Sequence, residues 1–313
     1  MRGDKGFALV LTLVVTALMV AAAVELIHQV YVDTSLNRSF RDGQQASLLA
    51  ESGAYGGKSL LRMAISGQGY TSLSDKWAVP FKQEDETGRI EITITEESGK
   101  INLNSLVQPN GEPDPNVMEV LKRLGTQLQI PESVWNALAD WIDTDDIPLA
   151  NGAETSYYKS LNPPYVARNG KMTTVTELSL VKGFTPDMVA KLTPFVTIYP
   201  NQTGTIAALT VNVNTAPKEV LMALDNRITD RMAEQVLEQR QLAPFKAPGE
   251  LSSRVDPLLT NLTNSPGLPA KVTFNCNGTV FRITARGFVK DAARTVEAVY
   301  RMTDNTILSW QEY

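Results

Sequence analysis

Residues Phe7–Val24 form an unbroken apolar run whose only polar side chains are Thr12 and Thr16. As a helix the run spans roughly 27 Å, near the thickness of a hydrocarbon core. A threonine hydroxyl can bond back to a carbonyl one turn earlier, so both residues are tolerable in lipid. The run is apolar on every face, which speaks against the core helix of a soluble protein. Glu25 to Met63 then contains no proline. Val30, Ser35, Phe40, Leu48, Leu49, Leu60 and Leu61 carry an irregular, mainly apolar stripe, and small residues gather between Ala46 and Gly57. The pattern predicts one long helix that leaves the membrane and docks on a soluble head by its later turns. A break near Asp42-Gly43 is the alternative.

Beyond the helix the period changes. Ile90, Ile92 and Ile94 alternate with polar residues and predict a half-buried strand over Gly88–Glu96. Gly99–Ser105 alternates again, and Asn110–Pro115 is a breaker-rich turn. Helical spacing follows over Val117–Leu128 and Pro131–Trp141, with Pro131 suited to a first turn. Two helix pairs follow, Thr176–Val181 with Thr185–Leu192 across Gly183, and Lys218–Leu224 with Thr229–Gln239. The chain returns to alternation at Phe281–Val289 and Arg294–Arg301, a hairpin around Lys290–Ala293. Early and late strands therefore pair in one sheet, and the helical block is an insertion in an α+β head. Ile101-Asn-Leu-Asn-Ser105 and Val211-Asn-Val-Asn-Thr215 echo one another, each ahead of a helical region.

Charge changes the reading of the N-terminus. Arg2, Lys5 and the initial amine outweigh Asp4 and favour a cytoplasmic N-terminus, with everything after Glu25 across the membrane. A secretory signal carries its small-residue cleavage site after the apolar run. Here the small residue, Gly6, stands before it. A cut between Gly6 and Phe7 keeps the apolar segment, an arrangement that resembles the leader of type IV pilins and pseudopilins cleaved by prepilin peptidase. A plain N-terminal anchor is the alternative. The net charge of −5 argues against a large nonspecific nucleic-acid surface. The single Cys276 cannot form an internal disulfide and reads as a small core residue. One histidine, His28, leaves no multi-histidine zinc site and little room for histidine-based nucleophilic catalysis.

The strongest chemical cluster is Asp140-Trp-Ile-Asp143-Thr-Asp145-Asp146, followed by Asn151 and Glu154. Unpaired, these acids repel, and a hard cation removes that cost. Asp143, Asp145, Asn151 and Glu154 fall at positions 1, 3, 9 and 12 of an EF-hand-like frame, but Ile147 and Pro148 occupy its fifth and sixth positions. A true EF-hand is therefore excluded. The expectation is calcium held chiefly by Asp143, Asp145, Asp146 and Glu154, against a solvated acidic loop as the plain alternative. The helix pair after Val211–Pro217 looks like a helix-hairpin-helix module, but its hairpin, Leu224–Thr229, has no glycine and carries an acid. Both pairs are read as packing units without nucleic-acid contact. No nucleophile or histidine adjoins the acidic loop, so the chain is read as a non-enzyme.

Together these residues resemble the minor pseudopilin K family of bacterial type II secretion systems. The likeness rests on the Gly6/Phe7 leader, the Asp140–Asp146 loop with Gly152-Ala-Glu154 and Tyr157-Tyr158, Thr176-Glu-Leu, and Val211–Pro217. It implies a leader at 1–6, a transmembrane helix at 7–28, and a stalk helix with the first pilin-like strands at 29–108. It further implies an inserted helical domain at 109–265 and closing strands at 266–313. Most pilins carry a glutamate as fifth residue of the mature chain, where this sequence has Leu11. That departure is characteristic of the K component and fits a place at the pseudopilus tip. The resemblance also implies an N-methylated Phe7, calcium in the inserted domain, and a single-pass inner-membrane protein with a periplasmic head. Implied partners are other minor pseudopilins, prepilin peptidase, the inner-membrane assembly platform and membrane lipid. The role expected is to initiate a pseudopilus for export of folded periplasmic proteins. A membrane-anchored helix-hairpin-helix DNA receptor and a minor pilin of a type IV pilus are the alternatives.

Overall fold

The computed structural model describes residues 4–200, 209–260 and 272–313. One helix, α1, runs without interruption from Asp4 to Ile65, about 93 Å at 1.5 Å per residue. It does not break at Asp42-Gly43. Thr12 Oγ1 donates to the Ala8 and Leu9 carbonyls at 3.0 and 2.9 Å, and Thr16 Oγ1 to Thr12 O at 2.7 Å. The apolar run therefore hides its only hydroxyls against its own backbone. Residues 7–41 of α1 are exposed throughout, and a buried face begins at Asp42.

That face lies on a five-stranded antiparallel sheet. Its strands are β1 (Phe81–Asp85), β2 (Gly88–Glu96), β7 (Val280–Val289), β8 (Ala292–Arg301) and β9 (Thr306–Glu312), in that spatial order. The small residues of α1 set how close it comes. A Cβ on Gly57 would stand 2.8 Å from Ile283 Cγ2 and 2.9 Å from Ile92 Cγ2. A Cβ on Gly287 would overlap the Ala46 carbonyl. Ala50, Ala54 and Leu61 thus pack directly on Ile92, Ile94, Phe281, Ile283 and Tyr300. At the start of this face Asp42 accepts from Lys290 Nζ, 2.7 Å away at the β7–β8 turn. The Lys290 ammonium holds the Asp42 carboxyl below the usual carboxylate range.

The segment between β2 and β7 forms a second, larger core. Its elements include β3 (Ile101–Asn102), α2 (Pro115–Leu128), α3 (Ser133–Ile142), α4 (Thr155–Lys159), α5 (Pro186–Leu192), β4 (Val196–Thr197) and β5 (Leu209–Asn212). They continue with α6 (Lys218–Leu224), α7 (Asp230–Leu242), α8 (Glu250–Arg254) and β6 (Val272–Asn275). Trp135, Leu121, Leu124, Leu138, Val213 and Phe245 lie at its centre. The alternation at Gly99–Ser105 yields only the short β3, because the chain turns into a 3-10 helix at Leu103–Ser105. Thr176–Val181 likewise forms a 3-10 helix over Val175–Leu180. β6 pairs with β5 inside this second body, so the late strands of the main sheet begin at Val280. Burial pushes the Cys276 thiol up to about 12, as suits a packing residue.

The repeated Asn-x-Asn motifs do the same work twice. Asn102 Oδ1 accepts from Asn104 N, and Asn212 Oδ1 from Asn214 N, each at 3.0 Å. Asn104 then accepts from Met172 N and donates to the Met172 and Ile198 carbonyls. Asn214 accepts from Phe245 N and donates to the Phe245 and Cys276 carbonyls. Each motif follows a strand in a two-stranded parallel pair, β3 with β4 and β5 with β6. The inserted body is therefore two similarly wired units, each with its loop closed by an asparagine.

The two cores meet at Glu96. Its carboxyl accepts from Asn212 Nδ2 at 2.7 Å, Thr71 Oγ1 at 2.7 Å and Thr215 Oγ1 at 3.1 Å. Thr71 Oγ1 in turn accepts from Gly278 N and Asn212 Nδ2. A Cβ on Gly278 would overlap the carboxyl. Burial pushes Glu96 up to about 7, against an ordinary value of 4.5. A carboxyl whose folded pKa is raised stabilises the fold most at low pH, and the contribution is lost as pH rises through the window from about 4.5 to 7. Glu96→Gln removes this ionisation. Wild type is expected to lose roughly 3 kcal/mol across that window relative to Glu96→Gln, read from denaturant melts at stepped pH. Parallel profiles for the two proteins would disprove it.

Candidate metal centre

α3 is amphipathic and buries Trp135, Leu138 and Trp141. Its last turn also carries Asp140, and Asp143 caps its C-terminus. Residues three apart on a helix share a face, so the two acids point the same way. The chain then loops through Asn151, in the left-handed region at φ 63°, and returns Glu154 at the start of α4. Asp140, Asp143 and Glu154 each offer an oxygen, and these oxygens lie within 4.8 Å of one another. All three residues are buried. Gly152 makes the approach possible, since a Cβ there would overlap Asp140 Oδ2.

The cluster lacks internal satisfaction. Asp140 accepts from Leu149 N at 3.2 Å. Asp143 Oδ1 and both Glu154 carboxyl oxygens are buried without a hydrogen-bond partner. Burial, reinforced by the neighbouring acids, pushes Asp143 up to about 7 and Glu154 up to about 8, and burial raises Asp140 as well. Orphaned buried carboxylate oxygens are costly. Oxygens sharing one calcium ion lie at most about 5 Å apart, twice the usual bond length. The spacing and the all-oxygen donor set therefore fit a hard cation.

Of the expected ligands, the structure brings Asp143 and Glu154 together and adds Asp140. Asp145 and Asp146 are exposed and face other partners. Asp145 Oδ1 accepts from Ile147 N at 2.7 Å. Asn169 Nδ2 donates to Asp145 O at 3.1 Å and reaches Asp146 Oδ1 at 3.5 Å. Asp140 had a legible signal, its three-residue spacing from Asp143 on one helical face. Asn169 had none, since it comes from a distant loop. At the other end of the chain, Gly6 and Phe7 lie in the opening turns of α1, and Phe7 and Leu11 are exposed. The hairpin between α6 and α7 turns its cation on itself: Arg227 donates to both Asp225 oxygens at 2.8 Å.

Two profiles described as "Type II secretion system (T2SS), protein K" match residues 99–201 and 211–266. A type II secretion system protein K from Pseudomonas aeruginosa is 30% identical over 82% of this chain and 78% of its own length. The chain belongs to the type II secretion system protein K family. The protein K of Aeromonas hydrophila is 27% identical over 98% of this chain and 96% of its own. A chain of the solved GspK-GspI-GspJ complex from enterotoxigenic Escherichia coli matches with a TM-score of 0.74 at 23% identity. That match covers 88% of this chain and 99% of the other, so the two share a fold. The first protein K profile spans the whole acidic cluster. The α+β architecture, a long helix on an antiparallel sheet with a helical insertion, is that of the family.

Gly152→Ala is expected to force Glu154 and Asp140 apart and to cost about 2–3 kcal/mol in a denaturant melt, as overpacking of a tight site does. Wild-type stability for this variant would show that the loop relaxes freely.

Proposed function

We propose that this chain is a minor pseudopilin that caps the pseudopilus tip and helps start its assembly. Leu11 carries the reading. Cleavage after Gly6 makes Phe7 the first mature residue, N-methylated, and Leu11 the fifth. A carboxylate at that depth serves to pair with a neighbour's amine, and an unpaired one costs a few kcal/mol in lipid. A subunit with nothing above it has no use for the acid. α1 supports anchoring: among the described residues it is the helix long and apolar enough to cross a membrane. Arg2 and Lys5 favour a cytoplasmic N-terminus, which supports a periplasmic head.

The partners are other minor pseudopilins, by analogy with the GspK-GspI-GspJ assembly. Prepilin peptidase, the inner-membrane platform and lipid complete the set, and exported folded proteins are the cargo. The role is structural rather than enzymatic. Nucleic acid has no place in it, since the Arg227 guanidinium is committed to Asp225 and the net charge is −5.

Calcium belongs to the same reading. Asp140, Asp143 and Glu154 would hold it, with Asp145 and Asp146 lowering the local potential. Binding the folded state alone raises stability with ligand concentration. The chelator-stripped protein should melt higher as calcium is added, and Asp143→Asn should abolish the rise. An unchanged melting temperature would leave only a solvated loop.

Two further outcomes test the tip role. Mass spectrometry of the mature protein should find N-methylated Phe7 at its start, and Gly6→Leu should block processing. Raising expression should give more and shorter pseudopili. Longer fibres on overexpression would reject the tip assignment.

A further inference from the structure

Glu154 is the carboxylate of the cluster that α3 does not carry, and its own oxygens do not fix it. Both are buried without a hydrogen-bond partner. Its place is therefore set by the chain on either side. On the entering side, Asn136 Nδ2 of α3 donates to Ala150 O at 2.9 Å. The next two carbonyls, of Asn151 and Gly152, both accept from one ammonium, Lys182 Nζ, at 3.3 and 2.9 Å. On the leaving side, the same Nζ stands 4.9 Å from the centre of the Tyr157 ring in α4. The backbone N–H of Lys182 donates to Tyr158 Oη at 3.2 Å. Lys182 thus grips both the loop that enters Glu154 and the helix that leaves it, from 30 residues beyond Gly152.

Two effects of this ammonium on a cation oppose one another. Like charges repel, but Lys182 is half-buried, so water screens that repulsion. Against it stands the ordering of the loop. Three empty carboxylates push apart, and a ligand already held in place spares the cost of ordering it on binding. Groups that orient a metal ligand are commonly worth about 10- to 100-fold in metal affinity. The ordering effect is the larger.

We infer that Lys182 is a positioning residue of the cation site. Bonded to the Asn151 and Gly152 carbonyls and set against Tyr157, it holds Glu154 within reach of Asp140 and Asp143 before an ion arrives. The inference rests on the calcium reading given above.

The test is isothermal titration calorimetry of calcium into the chelator-stripped full chain in detergent. Lys182→Met keeps the length of the side chain and removes its donors, and should raise Kd about tenfold. Lys182→Gln, a second neutral replacement, should show the same loss, and Lys182→Arg, a charged donor, should restore most of the affinity. The melting temperature without calcium is read alongside. A lysine with a merely structural role would lower that temperature in Lys182→Met and leave Kd unchanged, which overturns the inference. Tighter calcium binding by Lys182→Met would show that repulsion prevails, and would overturn it too. A wild type that takes up no calcium removes the calcium reading and this inference together. Wild-type binding with an unchanged Kd in both neutral variants removes the positioning role alone.

Discussion

Glu96 stands where two hydrophobic cores meet, and its buried carboxyl gathers Thr71 from one stretch of chain and Asn212 and Thr215 from another. The pilin-like body and the helical body each close their own core. Between them the chain passes through polar residues, Glu96, Glu97 and Ser98, all buried. Glu97 is held by Arg282 at 2.8 Å and Lys100 at 3.3 Å. Ser98 O accepts from Asn212 N, and Ser98 Oγ from Thr279 N. An unsatisfied buried carboxyl costs more than a hydrogen bond returns. The seam therefore holds only while all its donors are in place, which ties the insertion to β2 and so to α1.

This wiring also gives the acidic cluster its setting. α3 is held by the apolar face that packs under α2, and Asp140 and Asp143 follow from the phase of that helix. A rigid helix end and a glycine-dependent return loop bring the third carboxylate in. Orphaned oxygens at this point leave the cluster without self-satisfaction, an arrangement that fits a cation.

Periodicity made much of this legible. The strand Gly88–Glu96 has the bounds that its isoleucine alternation predicts, because one face must be buried on α1. The unbroken α1 follows from the absence of proline and from small residues at helical spacing. β1 and β9 were not legible. β1, Phe-Lys-Gln-Glu-Asp, is exposed along its length and is a strand only because β2 offers an edge. Val272–Asn275 resembles the late strands in composition, yet its partner is β5, a choice that only the three-dimensional arrangement makes. The acidic loop was visible as a cluster. The spacing that pairs Asp140 with Asp143 was legible too, but that Glu154 rather than Asp145 or Asp146 joins them was not, because that depends on the return loop and on Gly152. The Glu96 junction was illegible, since its partners lie 25, 116 and 119 residues away.

The most direct measurement of the seam's role is amide hydrogen exchange on the full chain, comparing wild type with Asn212→Ala. Asn212 belongs to the inserted body, and β2 and β7 belong to the pilin-like sheet. If the seam couples the two bodies, the variant exchanges faster in β2 and around Thr71 and Gly278 as well as in β5 and its loop. Faster exchange confined to the inserted body, with β2 and β7 unchanged, would contradict that coupling.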